Sequence, residues 1–289
     1  MSRVGRGRII GSSSNAKSVL KFENWVDTTQ KPAITYNGKW TGWYWETYDG
    51  SPYWECMIMS SGALTPGAGK TYTLDAFSIG GGGGYSALSE SPYACSGGGS
   101  GYTAMASNLV LNQIQAVSIG AGSSGAGASG GATTFMTLTA SGGTAGNGTN
   151  GGNGACGGGA GGYRVSTSSE TQSAILGGKG GVNGANGADS YWHDGGKYGT
   201  GGTGQGLIMA KFYSADHNNM YGENTHATDA WGQPGSGGGG IMPMSIYMAN
   251  DISSSLSVSY GSGGQRIGAY SNILYYNGTQ GCLWIRIKI

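Results

Sequence analysis

Proline, charge and long apolar runs are all scarce in this sequence. Only 6 of its 289 residues are proline although 62 are glycine, and this ratio excludes a collagen-like triple helix. Charged residues make up 10% and the net charge is +1, so the high net charge typical of unfolded chains is lacking. No stretch reaches the about 18 consecutive apolar residues of a membrane-spanning helix, and no secretory signal follows the basic N terminus. We therefore expect a folded chain that is synthesised in the cytoplasm, without a signal peptide or membrane insertion.

Cysteine and histidine patterns typical of metal sites are missing as well. No two cysteines form a Cys-x-x-Cys pair, which argues against a zinc ribbon or a redox dithiol. We expect small buried thiols at all four positions, which are Cys56, Cys95, Cys156 and Cys282. The histidines have no metal-ligand spacing and are predicted to be solvated loop residues, with a metal or pH-sensing cluster as the alternative. They are His193, His217 and His226.

Catalytic patterns are equally weak. Asp189 and Asp194 form the one pair that resembles the two carboxylates of a glycan-cleaving site. The run 120–125 matches a dinucleotide-binding pattern, but no helix is predicted after it and glycine is abundant throughout. The sequence therefore predicts no catalytic residue, no metal and no cofactor, and a protein that is not an enzyme. A glycan depolymerase is the enzymatic alternative.

Short β-strands are indicated at several places. Residues 72–79 and 116–119 alternate apolar with polar side chains and end in glycine. Residues 283–289 alternate with a period of two, as one face of a buried strand does. The stretches 39–46 and 53–59 predict a hairpin with a turn at 49–52. No segment has a sustained helical period, so we expect little helix.

Glycine dominates residues 80–206 and divides the chain into a region at 1–79 and a glycine-rich region at 80–289. Each glycine in regular structure costs roughly 0.5–1 kcal/mol relative to alanine, and it has no side chain to bury. The compensating energy must come from backbone hydrogen bonds between neighbouring segments, because a polyproline II conformation makes none internally. We predict a mainly β protein with little helix: an N-terminal hairpin, then a lattice of polyproline II-like glycine segments closed by a C-terminal β-strand.

Aromatic and polar stretches interrupt the glycine runs at 85–96, 163–176 and 189–198, and residues 207–250 are rich in loops. Loops on a rigid scaffold concentrate binding residues, and aromatic side chains present rigid contact area. Aromatic residues that only cover the edge of the glycine array are the alternative. The predicted contact residues are Tyr163, Arg164, Tyr191, Trp192, His193, Lys197, Tyr198, Tyr213, His217, Tyr221 and Trp231.

A resemblance to a known family rests on the order of several short motifs. They are LDAFSIGGGGG at 74–84, GGGSGY at 97–102, ASGG at 140–143, GGTGQG at 201–206 and WIRI at 284–287. In this order, over 54–289, they resemble the glycine-rich domain of phage tail-fibre and tail-tip proteins, and the chain is similar to the distal adhesins of T-even-type phages. The resemblance implies a polyglycine II sandwich whose variable loops contact a protein or glycan on the host surface. One departure is 208–231, which is rich in Tyr, His, Asn and Met where the family often has glycine.

The expected function is therefore that of a non-enzymatic phage adhesin located in the virion, at the tail fibre or tail tip. Its basic N-terminal segment, 1–21, is expected to dock onto other tail or fibre proteins rather than onto nucleic acid. The assembly would be a homotrimer, or a single copy that caps a trimeric fibre. The alternative is a structural head-fibre or decoration protein of the virion without receptor binding.

Overall fold

The structure is a computed structural model. It describes residues 30–48, 51–86, 96–148, 150–155, 157–158, 178–179, 186–187, 260–261, 263–267 and 274–288. In these ranges the elements are β1 (Ile34–Tyr36), β2 (Tyr44–Tyr48), β3 (Ser51–Ile58), β4 (Gly62–Pro66), β5 (Tyr72–Ile79), β6 (Thr103–Leu111), β7 (Gln115–Ser118), β8 (Thr133–Phe135), β9 (Leu138–Ala140), β10 (Gln265–Ile267), β11 (Leu274–Tyr276) and β12 (Cys282–Lys288).

The strands form two five-stranded sheets and a separate two-stranded ribbon. The first sheet has the order β1-β4-β7-β8-β9, the second β2-β3-β12-β5-β6, and the ribbon pairs β10 with β11. Every pairing is antiparallel. Helix in the described ranges is limited to a 3-10 residue at Gln30. The predicted fold class, mainly β with little helix and closed by a C-terminal strand, is confirmed. The domain division at residues 79 and 80 stays a prediction.

The closing strand β12 lies in the middle of the second sheet, between β3 and β5. Its alternation is as predicted, because Leu283, Ile285 and Ile287 are buried while Lys288 is exposed. Burying one such aliphatic side chain stabilises a fold by about 1.5–3 kcal/mol. These side chains share a core with residues from both large sheets. The main core therefore lies between the sheets.

The predicted hairpin is confirmed as β2 and β3, but its turn is shorter than expected. Tyr48 pairs with Ser51 and Thr47 with Pro52, so two of the four predicted turn residues belong to the strand. A two-residue connection suffices for an antiparallel hairpin. Proline is tolerated near the start of a strand, where its missing N–H interrupts no central ladder.

Candidate functional site

The glycine segment at 80–84 donates its backbone hydrogen bonds to three different neighbouring segments in turn. The acceptors of the five successive N–H groups are Tyr102 O at 2.9 Å, Gly131 O at 2.9 Å, Thr279 O at 2.8 Å, Gly99 O at 2.9 Å and Ala128 O at 2.8 Å. The first and fourth bonds reach the same neighbour, as do the second and fifth. This repeat of three matches the about three residues per turn of a polyproline II helix.

The carbonyl groups of the same segment accept bonds from three further segments. The donors are Gly143 N–H to Gly81 O at 2.9 Å, Ser123 N–H to Gly82 O at 3.0 Å, Gly264 N–H to Gly83 O at 2.6 Å and Gly146 N–H to Gly84 O at 3.0 Å. The segment is therefore surrounded by six others, and its interior polar groups are paired between segments rather than within one. This is the hydrogen-bond pattern of polyglycine II. We call the interconnected segments the glycine lattice; they are 80–86, 96–102, 119–124, 128–132, 141–146, 150–155, 157–158, 178–179, 186–187, 260–261, 263–264 and 277–281.

Close backbone approach explains why these positions are glycine. A Cβ atom on Gly81 would lie 1.9 Å from Ala121 O, and one on Gly101 would lie 1.9 Å from Gly80 O. Larger residues occur where the side chain points out of the lattice, and the side chains of Thr144 and Asn153 are exposed there. The side chains that are buried within the described lattice are all small, and they belong to Ser86, Ser96, Ser100, Ser123 and Ala155.

The lattice has two different ends. Segment 80–86 leaves β5 and 96–102 returns to β6, while 119–124 leaves β7 and 128–132 returns to β8. The hydrogen bonds of 80–84 with 99–102 run in antiparallel order, as do those with 128–131. The two large sheets therefore lie at one end, the base. The opposite end, which holds the reversals of the chain, is named the distal end.

Several inserts begin at the distal end and are closed there by hydrogen bonds. Ser86 and Ser96 flank residues 87–95, and Ser86 N–H donates to Ser96 O at 3.1 Å. Gly178 N–H donates to Gly158 O at 2.8 Å and so closes 159–177. The next insert starts after Gly187, whose N–H donates to Gly178 O at 2.8 Å.

The eleven predicted contact residues lie outside the described residues, in two of these inserts. Tyr163 and Arg164 belong to 159–177, and the other nine belong to 188–259. The second insert returns to the lattice at Gly261, which accepts a bond from Gly101 N–H at 2.8 Å near the base. The described residues thus fix where both inserts leave the lattice, and the contact role of the eleven stays a prediction.

The ribbon of β10 and β11 is an element that the sequence reasoning did not identify. It follows Gly264, which bonds to Gly83, and precedes Gly278, whose N–H donates to Ser123 Oγ at 2.6 Å. The ribbon therefore starts and ends at the distal end of the lattice, with Arg266 and Tyr275 as register partners. Strands of three residues give almost no periodic signal. The glycines on either side of 265–276, Gly263 and Gly264 before it and Gly278 after it, were the available clue.

Two Asn-Gly-Thr sequences, at 147–149 and 277–279, fit a glycosylation pattern, but in a sequence without a secretory signal they are interpreted as turns. The first is a turn, because Asn147 and Asn150 exchange backbone hydrogen bonds of 2.9 and 3.0 Å. The second prediction is wrong, because Thr279 O accepts a bond from Gly82 N–H and the segment belongs to the lattice. Residues 120–125, which match a dinucleotide pattern, are also lattice, with Ser123 N–H bonded to Gly82 O.

A family model for a glycine-rich domain matches residues 60–288. The chain belongs to this glycine-rich domain family. A comparison with curated proteins finds no match. The matched range runs from just before β4 to the end of β12 and contains the whole described lattice. The glycine-rich character of the resemblance is thereby confirmed.

The described part of the chain contains two free thiols, Cys56 and Cys282, both buried. Burial raises the pKa of each thiol, and the negative charge of Glu55 adds to the effect on the pKa of Cys56. Both stay protonated and unreactive at neutral pH. The prediction of buried thiols is confirmed for these two, and Cys95 and Cys156 lie outside the described residues.

No group of three or more His, Cys, Asp or Glu side chains that could hold a metal is found among the described residues, and the three histidines lie outside them. Within those ranges, no helix is long and apolar enough to span a membrane.

Proposed function

We propose that this glycine-rich protein is a receptor-binding adhesin of a bacteriophage tail fibre or tail tip, which attaches the virion to a protein or glycan on the host surface. The observation that carries the proposal is that the two ends of the lattice differ. Its base is formed by two sheets with a shared core, whereas the inserts at 87–95 and 159–177 and the β10–β11 ribbon start at the opposite end. One end is suited to attachment and the other to recognition.

Rigidity of the lattice supports this assignment. Residues 80–84 are hydrogen-bonded to six neighbouring segments, so the residues at which the distal inserts leave the lattice are held in fixed positions. Loops held by a rigid scaffold lose less conformational entropy on binding. Weak individual contacts gain strength when several copies on one particle bind together.

The contacts are assigned to the eleven aromatic, basic and histidine residues of 159–177 and 188–259, in a protein that binds without catalysis. The region at 1–79 is assigned to attachment within the virion, as a homotrimer or as a single copy capping a trimeric fibre. The alternative of a head-fibre or decoration protein is separated from an adhesin by location. Antibody labelling of intact particles is expected to mark the fibre or tail tip, and labelling of the capsid would contradict the adhesin.

The test of recognition uses phage particles that carry Tyr191→Ala with Trp192→Ala. We expect adsorption to host cells to slow at least about tenfold, as for loss of aromatic anchors in an interface, with unchanged particle number and morphology. The matched control is Ser124→Ala, at an exposed lattice position. Adsorption equal to that of the control would count against these two residues, and unchanged adsorption after exchange of the whole insert at 188–259 would refute recognition by that insert.

A further inference from the structure

Asn-Gly pairs are unusually frequent along this lattice, and the structure places them in different chemical surroundings. Three of the described pairs are compared: Asn147-Gly148, Asn153-Gly154 and Asn277-Gly278. All three asparagine side chains are exposed. Asparagine is a thermolabile residue, and a following glycine leaves its backbone free to adopt the geometry of ring closure.

The reaction in question is deamidation through a succinimide. The backbone nitrogen of the glycine loses its proton and attacks Cγ of the preceding asparagine, so a C–N bond forms and ammonia leaves. Water then opens the ring at either carbonyl and gives aspartate or isoaspartate. One water is consumed, one ammonia is released, and nothing is oxidised or reduced. A glycine N–H that is held in a hydrogen bond cannot take part until that bond opens.

The lattice holds two of the three attacking nitrogens. Gly278 N–H donates to Ser123 Oγ at 2.6 Å, a buried acceptor. Gly154 N–H donates to Lys179 O at 3.1 Å, and Asn153 Oδ1 accepts from Lys179 N–H at 2.7 Å. In the second pair one residue therefore restrains both the nucleophile and the side chain that it would attack.

The third pair lies in the distal turn and lacks this restraint. Gly148 has φ +60°, in the left-handed region that glycine adopts at low cost. Among the described residues no hydrogen bond to Gly148 N–H is found. We propose that Asn147 is a spontaneous deamidation site at the distal end, whereas the lattice protects Asn153 and Asn277.

The product would alter the distal end locally. Isoaspartate lengthens the backbone between positions 147 and 148, and either product adds a negative charge. The turn is closed by the two backbone bonds between Asn147 and Asn150, and Gly148 O accepts a bond from Ser96 Oγ at 3.2 Å at the base of the 87–95 insert. Ageing of the protein would therefore change the turn that braces this insert. This inference does not depend on the proposed function.

The test is incubation of the full chain at mildly alkaline pH, followed by digestion at acidic pH and mass spectrometry of the three sites in one digest. Deamidation at Asn147 is expected to be at least about tenfold faster than at Asn277, because a rarely populated local opening must precede attack at Asn277. In urea the three rates should become similar. Equal rates at Asn147 and Asn277 in the folded chain, or equal slowing of both relative to urea, would overturn the proposal.

A variant tests the cause of the protection. Ser123→Ala removes the acceptor of Gly278 N–H and retains the backbone bond from residue 123 to Gly82 O. We expect the rate at Asn277 to rise several-fold while the rate at Asn147 is unchanged. Ser124→Ala, at the exposed neighbouring position, is the matched control. No change at Asn277 in a Ser123→Ala protein whose circular dichroism is native would refute this protective role.

Discussion

Adjacent glycines in one lattice segment provide a sharp test of the packing. A Cβ atom on Gly130 would lie 2.1 Å from Gly81 O, a backbone atom that no rotamer change can move. A Cβ atom on Gly131 would lie 3.1 Å from its closest neighbour, Ala121 N. Gly130→Ala should therefore destabilise the protein strongly, and Gly131→Ala, whose Cβ needs a shift of only a few tenths of an ångström, should have a much smaller effect.

The size of the loss in free energy of unfolding follows from the two lattice segments that Gly130→Ala must push apart. Relief of the Gly130→Ala clash moves segment 128–131 away from 80–84 by about 1 Å, which is overpacking strain of about 1–3 kcal/mol. The move weakens the bonds from Gly81 N–H to Gly131 O and from Gly84 N–H to Ala128 O, each worth about 1 kcal/mol. Alanine offsets roughly 0.4–1 kcal/mol of this destabilisation, because it restricts the unfolded chain more than glycine does. The net loss is about 2–4 kcal/mol.

The assay is urea unfolding followed by tryptophan fluorescence, with thermal unfolding as a second measurement. Gly130→Ala should lower the free energy of unfolding by that amount and the Tm by roughly 5–15 °C. Gly131→Ala should stay within about 1 kcal/mol of wild type. Equal effects of the two substitutions would refute the close-packed lattice, since both make the same chemical change in adjacent residues.

Three further outcomes are expected. Thr133 Oγ1 donates to Ile79 O at 2.6 Å and accepts from Gly120 N–H at 2.9 Å. Thr133→Val should therefore lower the free energy of unfolding, measured in urea, by about 2–4 kcal/mol, and Thr133→Ser should lower it much less. Equal losses in the two variants would contradict the role of the hydroxyl. Ile285→Ala should cost about 2–5 kcal/mol, whereas Lys288→Ala on the same strand should change the free energy of unfolding by less than about 0.5 kcal/mol. The raised thiol pKa values of Cys56 and Cys282 favour the protonated folded state, so the contribution of these thiols to stability is complete below the unfolded pKa of about 8.5 and declines as pH rises above it. Titration of the folded chain with a thiol reagent at pH 8 should leave both unmodified. Rapid modification would show that they are accessible.

Much of the fold could be predicted from the sequence because its signals are local. The period of two in 283–288 predicts a strand, and the alternation in 72–79 does the same. The glycine excess predicts backbone hydrogen bonds between neighbouring segments of the chain, since glycine offers no other source of stability. The position of β12 between β3 and β5 could not be predicted, because pairing partners distant in sequence leave no local pattern. The same holds for the short strands β10 and β11.

Of the candidate site, only the existence and composition of the inserts could be predicted from the sequence. Aromatic interruptions of the glycine runs indicate inserts, but the end of the lattice at which each insert leaves depends on the direction of every segment. That direction is set by hydrogen bonds such as those from Gly98 to Gly264 and from Gly83 to Gly99, between residues that carry no side chain. The sequence therefore predicts that inserts exist and not that several of them start at one end.

A glycine lattice has one further physical difficulty, which is register. Glycine segments can slide past one another by a repeat of about three residues with no side chain to resist. The segments at the centre of this lattice continue strands of the two large sheets, as 80–84 continues β5 and 277–281 leads into β12. Strand pairing with buried alternating side chains fixes register strongly, so the sheets set the alignment of the segments that grow from them.

Outer segments that continue no strand need another source of alignment, and here polar side chains supply it. Asn153 N–H donates to Thr144 Oγ1 at 2.7 Å, and Asn153 Oδ1 accepts from Lys179 N–H at 2.7 Å. These two bonds align 150–155 with 141–146 on one side and with 178–179 on the other. A one-residue slip of either neighbour would break a bond that no glycine could replace. The few non-glycine residues of the outer lattice therefore specify its register, and through it the position at which 159–177 leaves the scaffold.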